Sequence, residues 1–243
     1  EGTDYHDQVS VLERVLELSP GTESVRMDLG IGHALLGDYD SAKVQLSRVS
    51  SPQQRGNALT FLGYIATLQN DDARAQNMFE EALRTEALSA RWQTQTELAK
   101  LQIKSGQFRD AEEGLQQALQ QNPDNDLGRY LRGIALHSMG RANEGLLEFE
   151  SVVRGGGSYS ALASVQSANI QMLLGNLDGA ERSIAVARRA ALQSPPFYTV
   201  SGRVSMGTNR LGEARDAFDK AIRMDPAYAP AYLERGLLYV KQD

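Results

Sequence analysis

An all-α chain built as a stack of antiparallel helix pairs is predicted by three observations: a repeated segment, a register of small and large residues, and turn chemistry between them. The segments Gly37-Asp38-Tyr39-Asp40-Ser41-Ala42, Asn70-Asp71-Asp72-Ala73-Arg74-Ala75, Gly106-Gln107-Phe108-Arg109-Asp110-Ala111, Gly140-Arg141-Ala142-Asn143-Glu144-Gly145, Gly175-Asn176-Leu177-Asp178-Gly179-Ala180 and Asn209-Arg210-Leu211-Gly212-Glu213-Ala214 begin 33, 36, 34, 35 and 34 residues apart. A period of that size is one supersecondary unit repeated, each unit burying its apolar face against the next.

Each unit reads as two amphipathic segments. In the third, Ala90 to Ser105 and Phe108 to Gln121 flank Gly106, and Asn122-Pro123 stops the second helix because proline cannot continue it. Small residues recur on the first helices at Gly30, Gly63, Ala99, Gly133, Ala168, Gly202 and Gly236, and on the second helices at Ala42, Ala75, Ala111, Gly145, Ala180 and Ala214. Four residues beyond the latter stand Leu46, Phe79, Leu115, Phe149, Ile184 and Phe218, one turn along the same face. Val49, Ala82, Ala118, Val152, Ala187 and Ala221 follow three residues later and widen the stripe. Small against large is therefore how each hairpin should close.

The ends read as half-units. Tyr5 to Pro20 looks like a second helix alone and Ala229 to Val240 like a first helix alone, giving residues 1–22 as a cap, 23–228 as six units and 229–243 as the first helix of a further or capping unit. Two departures stand out. The second unit lacks a terminal proline near Ala87 and runs two residues long, so its last helix is expected to extend toward Leu88. The fourth has Gly145 at a usual alanine position and ends in Arg154-Gly155-Gly156-Gly157, a sharp turn or a soft joint.

Composition narrows the function. Hydrophobic residues make up 41% of the 243, enough for a long continuous core. There is no cysteine, so disulfides, zinc–cysteine sites and thiol nucleophiles are excluded. A net charge of -6 argues against nucleic acid, whose binding leans on clustered Lys and Arg. No run of about 18 apolar residues is present to span a bilayer. The chain begins at Glu1 rather than Met, and the expectation is an N-terminal segment removed upstream, where a secretory signal or lipid-anchor sequence would lie.

Catalytic and metal constellations are not expected. His6, His33 and His137 fall in different units without ligand spacing, and His33 reads as a partly buried, hydrogen-bonded side chain. Glu80-Glu81 and Glu112-Glu113 diverge by about 100° around their helices and read as solvated faces. Gly155-Gly156-Gly157 lacks the Lys-Ser/Thr and the preceding strand of a phosphate loop.

The chain resembles the tetratricopeptide repeat family across about residues 5 to 240. The clearest stretch is Asn209-Arg210-Leu211-Gly212-Glu213-Ala214 followed by Phe218, Ala221, Asp225-Pro226, Tyr232, Gly236 and Tyr239. The resemblance implies a right-handed superhelical solenoid of six full repeats with a half-repeat at each end, non-enzymatic and without cofactor or metal, whose first helices line a groove that holds a protein or peptide. The lining it implies is Met27, Ile31 and Leu35; Thr60, Tyr64 and Thr67; Thr96, Lys100, Ile103 and Lys104; Leu127, Tyr130, Ile134 and His137; Val165, Asn169 and Met172; and Thr199, Arg203 and Met206. Apolar groups dominate that path and suit an amphipathic helix or apolar peptide, with Lys100, Lys104 and Arg203 available for acidic flanks. Thr60, Tyr64, Thr96 and Lys100 occupy the places where some relatives clamp a terminal carboxylate with paired Lys and Asn, so chaperone-tail binding is disfavoured.

The chain is also similar to bacterial outer-membrane lipoproteins that assist pilus biogenesis, pilotins and tight-adherence pilus relatives. That similarity implies a secretin or pilus component as partner, and the periplasm or the inner face of the outer membrane as location, with the cytoplasm as the alternative. Two other readings stand beside it: a structural oligomer associating through end faces near Val11-Leu12 or Leu237-Leu238, and the repeat region of a larger regulator or enzyme.

Overall fold

In the computed structural model, residues 5–242 are described, and they form fourteen α-helices. They divide into two compact units, Glu1–Pro123 and Asp124–Asp243. The first holds α1 (Tyr5–Leu18), α2 (Glu23–Leu35), α3 (Tyr39–Ser47), α4 (Arg55–Leu68), α5 (Asp72–Leu83), α6 (Arg91–Lys104) and α7 (Phe108–Gln121). The second holds α8 (Asp126–Ser138), α9 (Ala142–Gly155), α10 (Ser160–Leu173), α11 (Leu177–Arg189), α12 (Pro195–Gly207), α13 (Leu211–Met224) and α14 (Ala229–Gln242). Within each unit, successive helices pack as adjacent antiparallel pairs, and first helices also touch across repeats, as α2 with α4, α10 with α12 and α12 with α14.

The repeated Gly or Asn at each segment start is explained by the turn between paired helices. Gly37, Gly106, Gly140 and Gly175 have φ of 73–80°, and Asn70 and Asn209 have 58° and 60°. This is the left-handed residue that ends a helix and that only Gly, and less readily Asn, adopts cheaply. The next helix is then capped where Asp38, Asp71 and Asn176 accept from the backbone N–H three residues on.

The small-against-large register holds at atomic detail. A Cβ built on Gly30 would lie 2.7 Å from Leu46 Cγ, and one on Gly63, Gly133 or Gly202 would lie 2.5–2.7 Å from the ring of Phe79, Phe149 or Phe218. These spacings are below any ordinary contact, so only glycine lets the facing side chain seat. Gly145 has its own reason: an added Cβ there would meet the carbonyl oxygen of Gly133 at 2.8 Å. The fourth hairpin thus closes with glycine on both helices of its crossing.

Three expectations are corrected. α5 stops at Leu83 rather than extending toward Leu88. The extra residues are used in the linker, where the Arg91 guanidinium donates to the carbonyls of Leu83 (2.5 Å) and Thr85 (2.6 Å) and satisfies the open helix end. Glu112 is buried, whereas Glu113 is exposed, because Glu112 falls within the stripe of Ala111, Leu115 and Ala118. Leu238 is not part of an exposed end face. It lies fully buried with Ala214 and Phe218, while Leu237 is exposed. At the glycine turn, Gly156 is left-handed with φ 69°, and Gly157 lies so close to the Asp126 carboxylate that a Cβ would collide. His33 is mostly buried, with Glu13 of α1 at 3.7 Å and Asp38 at 3.6 Å.

Candidate partner-binding groove

In the first unit, α2, α4 and the linker into α6 enclose an open groove of about 350 Å3. Met27 and Ile31 come from α2, Thr60, Phe61 and Tyr64 from α4, and Leu88, Ser89, Gln93 and Thr94 from the linker and the start of α6. One wall of the groove is aromatic. Tyr64 sits edge-on to Phe61 at 6.1 Å and to Phe79 at 5.5 Å, so the core residue of the hairpin crossing also fixes the groove ring. Burial, then the nearby Glu97 carboxylate, pushes the Tyr64 phenol above its ordinary value, and it stays neutral at physiological pH. Asn57 braces the linker wall: its Oδ1 accepts from the backbone N–H of Ser89 (3.2 Å) and from the Ser89 hydroxyl (2.7 Å).

One row of the expected lining is largely buried, with Met27 and Thr60 reaching only the floor of the first-unit groove. Met27, Thr60, Thr96, Val165 and Thr199 are each at most 8% exposed. For Met27, Thr60, Val165 and Thr199 the reason is packing between first helices of successive repeats, α2 on α4 and α10 on α12. Its threonines are satisfied internally: Thr60, Thr96 and Thr199 donate to the carbonyls of Gly56, Trp92 and Pro195 at 3.1, 2.8 and 2.9 Å, and the Thr60 and Thr94 hydroxyls share a hydrogen at 3.1 Å across α4 and α6.

The basic residues are engaged within the chain. Lys100 pairs with Glu97 at 2.7 Å, Lys104 with Asp72, and Arg203 with Asn169 and, at 3.3 Å, with Glu234. The two lysine pairs are solvent-exposed and worth little to stability. The Arg203 network is more enclosed and ties α10, α12 and α14 together. The only charged side chain in the lining of the first-unit groove is Asp28.

In the second unit, Tyr130 stacks on Tyr159 at 5.6 Å and leans on Phe149 at 5.7 Å. Burial pushes its phenol up, partly offset by a hydrogen bond with Gln166. Ile134 packs partly buried against the Phe149 cluster, Met172 against the cluster of Ala168 and Ile184, and Met206 against that of Ala214 and Phe218. Ile103 is half-buried on α6. The Nδ1 of His137 is buried without a partner, and His137 lies at the crossing with Gly145. A separate polar recess between α11, α12 and α13 is lined by Arg188, Ser201 and Ser205, with Arg210 ion-paired to both Glu181 and Glu213.

Sequence reasoning missed Phe61, Asn57, Leu88 and Ser89. Phe61 had a signal, since it stands three residues before Tyr64 on the same helix face. The linker residues had none, because their position depends on where α5 stops. Among the described residues, no group of three or more His, Cys, Asp or Glu is placed to hold a metal ion, and no helix is long and apolar enough to cross a membrane.

A tetratricopeptide repeat model matches residues 96–161 and 199–243. No curated protein matches the sequence significantly. Among solved structures, the chain is similar to pilF of Pseudomonas aeruginosa, with a TM-score of 0.71 at 16% identity over 90% of this chain and 97% of that one. It is also similar to PilW, a type IV pilus biogenesis factor (0.68, 14%, 88% and 98%), and to YrrB, a tetratricopeptide protein with an unusual peptide-binding site (0.63, 16%, 94% and 99%). At such identities the likeness concerns the fold. Residues 96–161 and 199–243 thus carry the sequence pattern of the tetratricopeptide repeat, and the helix pairs of both units share its fold.

Proposed function

We propose that this scaffold holds an apolar or amphipathic protein segment in the first-unit groove, with Phe61 and Tyr64 as its anchors. One observation carries the reading: an aromatic pair, half-buried beside Ile31 and Leu88, faces an open groove whose only charged lining residue is Asp28. Burying apolar surface there is worth roughly 25 cal/mol per Å2, less the entropy of ordering the segment. With Asp28 on the rim and Lys100 and Lys104 already paired, the favoured segment is neutral or basic at its flanks rather than acidic.

The finer reading is assistance in pilus or secretin assembly, at the periplasmic side of the outer membrane, with a lipid anchor in a segment before Glu1; the cytoplasm is the alternative compartment. The fold shared with pilF and PilW supports it. The test is fluorescence polarisation with labelled amphipathic helical peptides bearing basic or acidic flanks, followed by a purified pilus secretin subunit. Phe61→Ala and Tyr64→Ala, each confirmed folded by circular dichroism, are expected to weaken peptide binding about tenfold or more. Unchanged affinity would show that the groove is the wrong surface. Peptide binding without secretin binding would remove the pilus reading alone.

A further inference from the structure

The groove of the first unit is walled by first helices; a different opening, in the second unit, is walled by second helices. Two recesses of about 330 and 470 Å3 adjoin between α11 and α13, with α12 as their floor, and Arg188, Ser201, Ser205 and Glu213 line both. The charges of this cleft do not balance. Arg210 holds both Glu181 and Glu213, so neither acid is left to neutralise another cation. Among the described residues, Arg188 of α11 and Lys220 and Arg223 of α13 have no carboxylate partner, against one lining acid, Asp216, that has no cation. In a chain of net charge -6, that is a local excess of cation.

The floor adds a buried donor. A hydroxyl in a helix can return its hydrogen to the carbonyl four residues back, as Thr199 does to Pro195 at 2.9 Å and Thr208, at the end of α12, does to Val204 at 3.0 Å. Ser201 does not. It is 7% exposed, its Oγ accepts from the Arg188 guanidinium at 3.5 Å, and its own hydrogen meets no acceptor among the described residues. A buried donor left without an acceptor costs free energy that an incoming anion would recover. On the α13 side, the Lys220 ammonium is held over the Tyr198 ring at 5.1 Å, and Arg223 follows three residues on along the same helix face.

We propose that this cleft binds an internal acidic segment of a partner protein, one Asp or Glu carboxylate being taken between the Arg188 guanidinium and the Ser201 hydroxyl. The donors suit that group: a guanidinium offers a planar fork of N–H bonds to a carboxylate, and the hydroxyl adds one more. Asp216 opposes anions along part of the α13 wall, so the Arg188–Ser201 floor is the anchor, and Lys220 and Arg223 meet further acids beyond it. The site shares no residue with the first-unit groove and stands whether or not that groove holds a segment.

The test is fluorescence polarisation of the full chain with a labelled Asp/Glu-rich peptide, acetylated and amidated at its ends, beside its Asn/Gln counterpart. The acidic peptide is expected to bind, less tightly as salt rises, and the counterpart not to bind. Arg188→Gln should weaken binding about tenfold or more. Ser201→Ala leaves the net charge unchanged and should still weaken it about threefold or more, which diffuse attraction to a basic surface would not produce. Two controls, each confirmed folded by circular dichroism like the other variants, are expected to bind as the parent does: Arg182→Gln, an equal loss of charge at an exposed residue of α11 outside the lining, and Tyr64→Ala in the other groove. A parent that does not bind, a counterpart that binds equally, an unchanged Ser201→Ala, or a loss in either control equal to that of Arg188→Gln would overturn the proposal.

Discussion

Two hairpins of the first unit solve the same crossing differently. Between α4 and α5, Gly63 faces Phe79; between α6 and α7, the same positions hold Ala99 and Leu115, and Phe79, Ala99 and Leu115 are all fully buried. What is removed from one helix is added to the other. In these two hairpins the crossing depends on the pair together and not on either residue alone, as expected of an interior packed to crystal density.

That comparison can be broken by exchanging the pairs. Gly63→Ala alone puts a methyl 2.5 Å from the Phe79 ring, and about 2 kcal/mol of destabilisation is expected from overpacking. Phe79→Leu alone leaves a cavity and should cost a similar amount. The double variant reproduces the Ala99/Leu115 pair and should recover about 1–2 kcal/mol relative to the sum of the singles. Urea midpoints that simply add would mean the two positions do not share one space.

The register itself is sharpened by its exception. Gly236→Ala should stabilise the chain by about 1 kcal/mol, since its surroundings are open and alanine is the better helix former. The same substitution thus has opposite signs at Gly63 and Gly236, readable as shifts in thermal midpoint.

The smallest effect is in acid. The Glu23 carboxylate accepts from the backbone N–H groups of Ser50 (3.0 Å) and Ser51 (2.7 Å) and from the Ser50 hydroxyl (2.7 Å). Hydrogen bonds from Ser51 and Ser50 lower its pKa from 4.5 to about 2. Its contribution is therefore present above the unfolded value near 4.5 and lost as pH falls toward 2. Stability in parent minus Glu23→Gln should shrink across that window, and a flat difference would assign the acid loss to other groups.

These contrasts separate what the sequence could disclose from what it could not. Gly63 against Phe79 was legible because periodic patterns encode packing within a hairpin. The burial of Thr60 and Thr199 was not, because it follows from how closely first helices of successive repeats approach. Nor was the pairing of Lys104 with Asp72 or Arg203 with Asn169, 32 and 34 residues apart in the chain, since matching those partners requires the stacking itself. The groove was legible in Tyr64 and Ile31 and hidden in Leu88 and Ser89.

The linker that supplies Leu88 and Ser89 exists because one spacing in the series is the longest, at 36 residues. Its two most outlying residues, Glu86 and Ala87, are exposed, and Arg91 seals the preceding helix end independently of what lies between. The shape of the groove's mouth is thereby decoupled from the load borne by the helices: a lineage or an engineer can rewrite it by editing a short tether, while the framework behind it stays as it was.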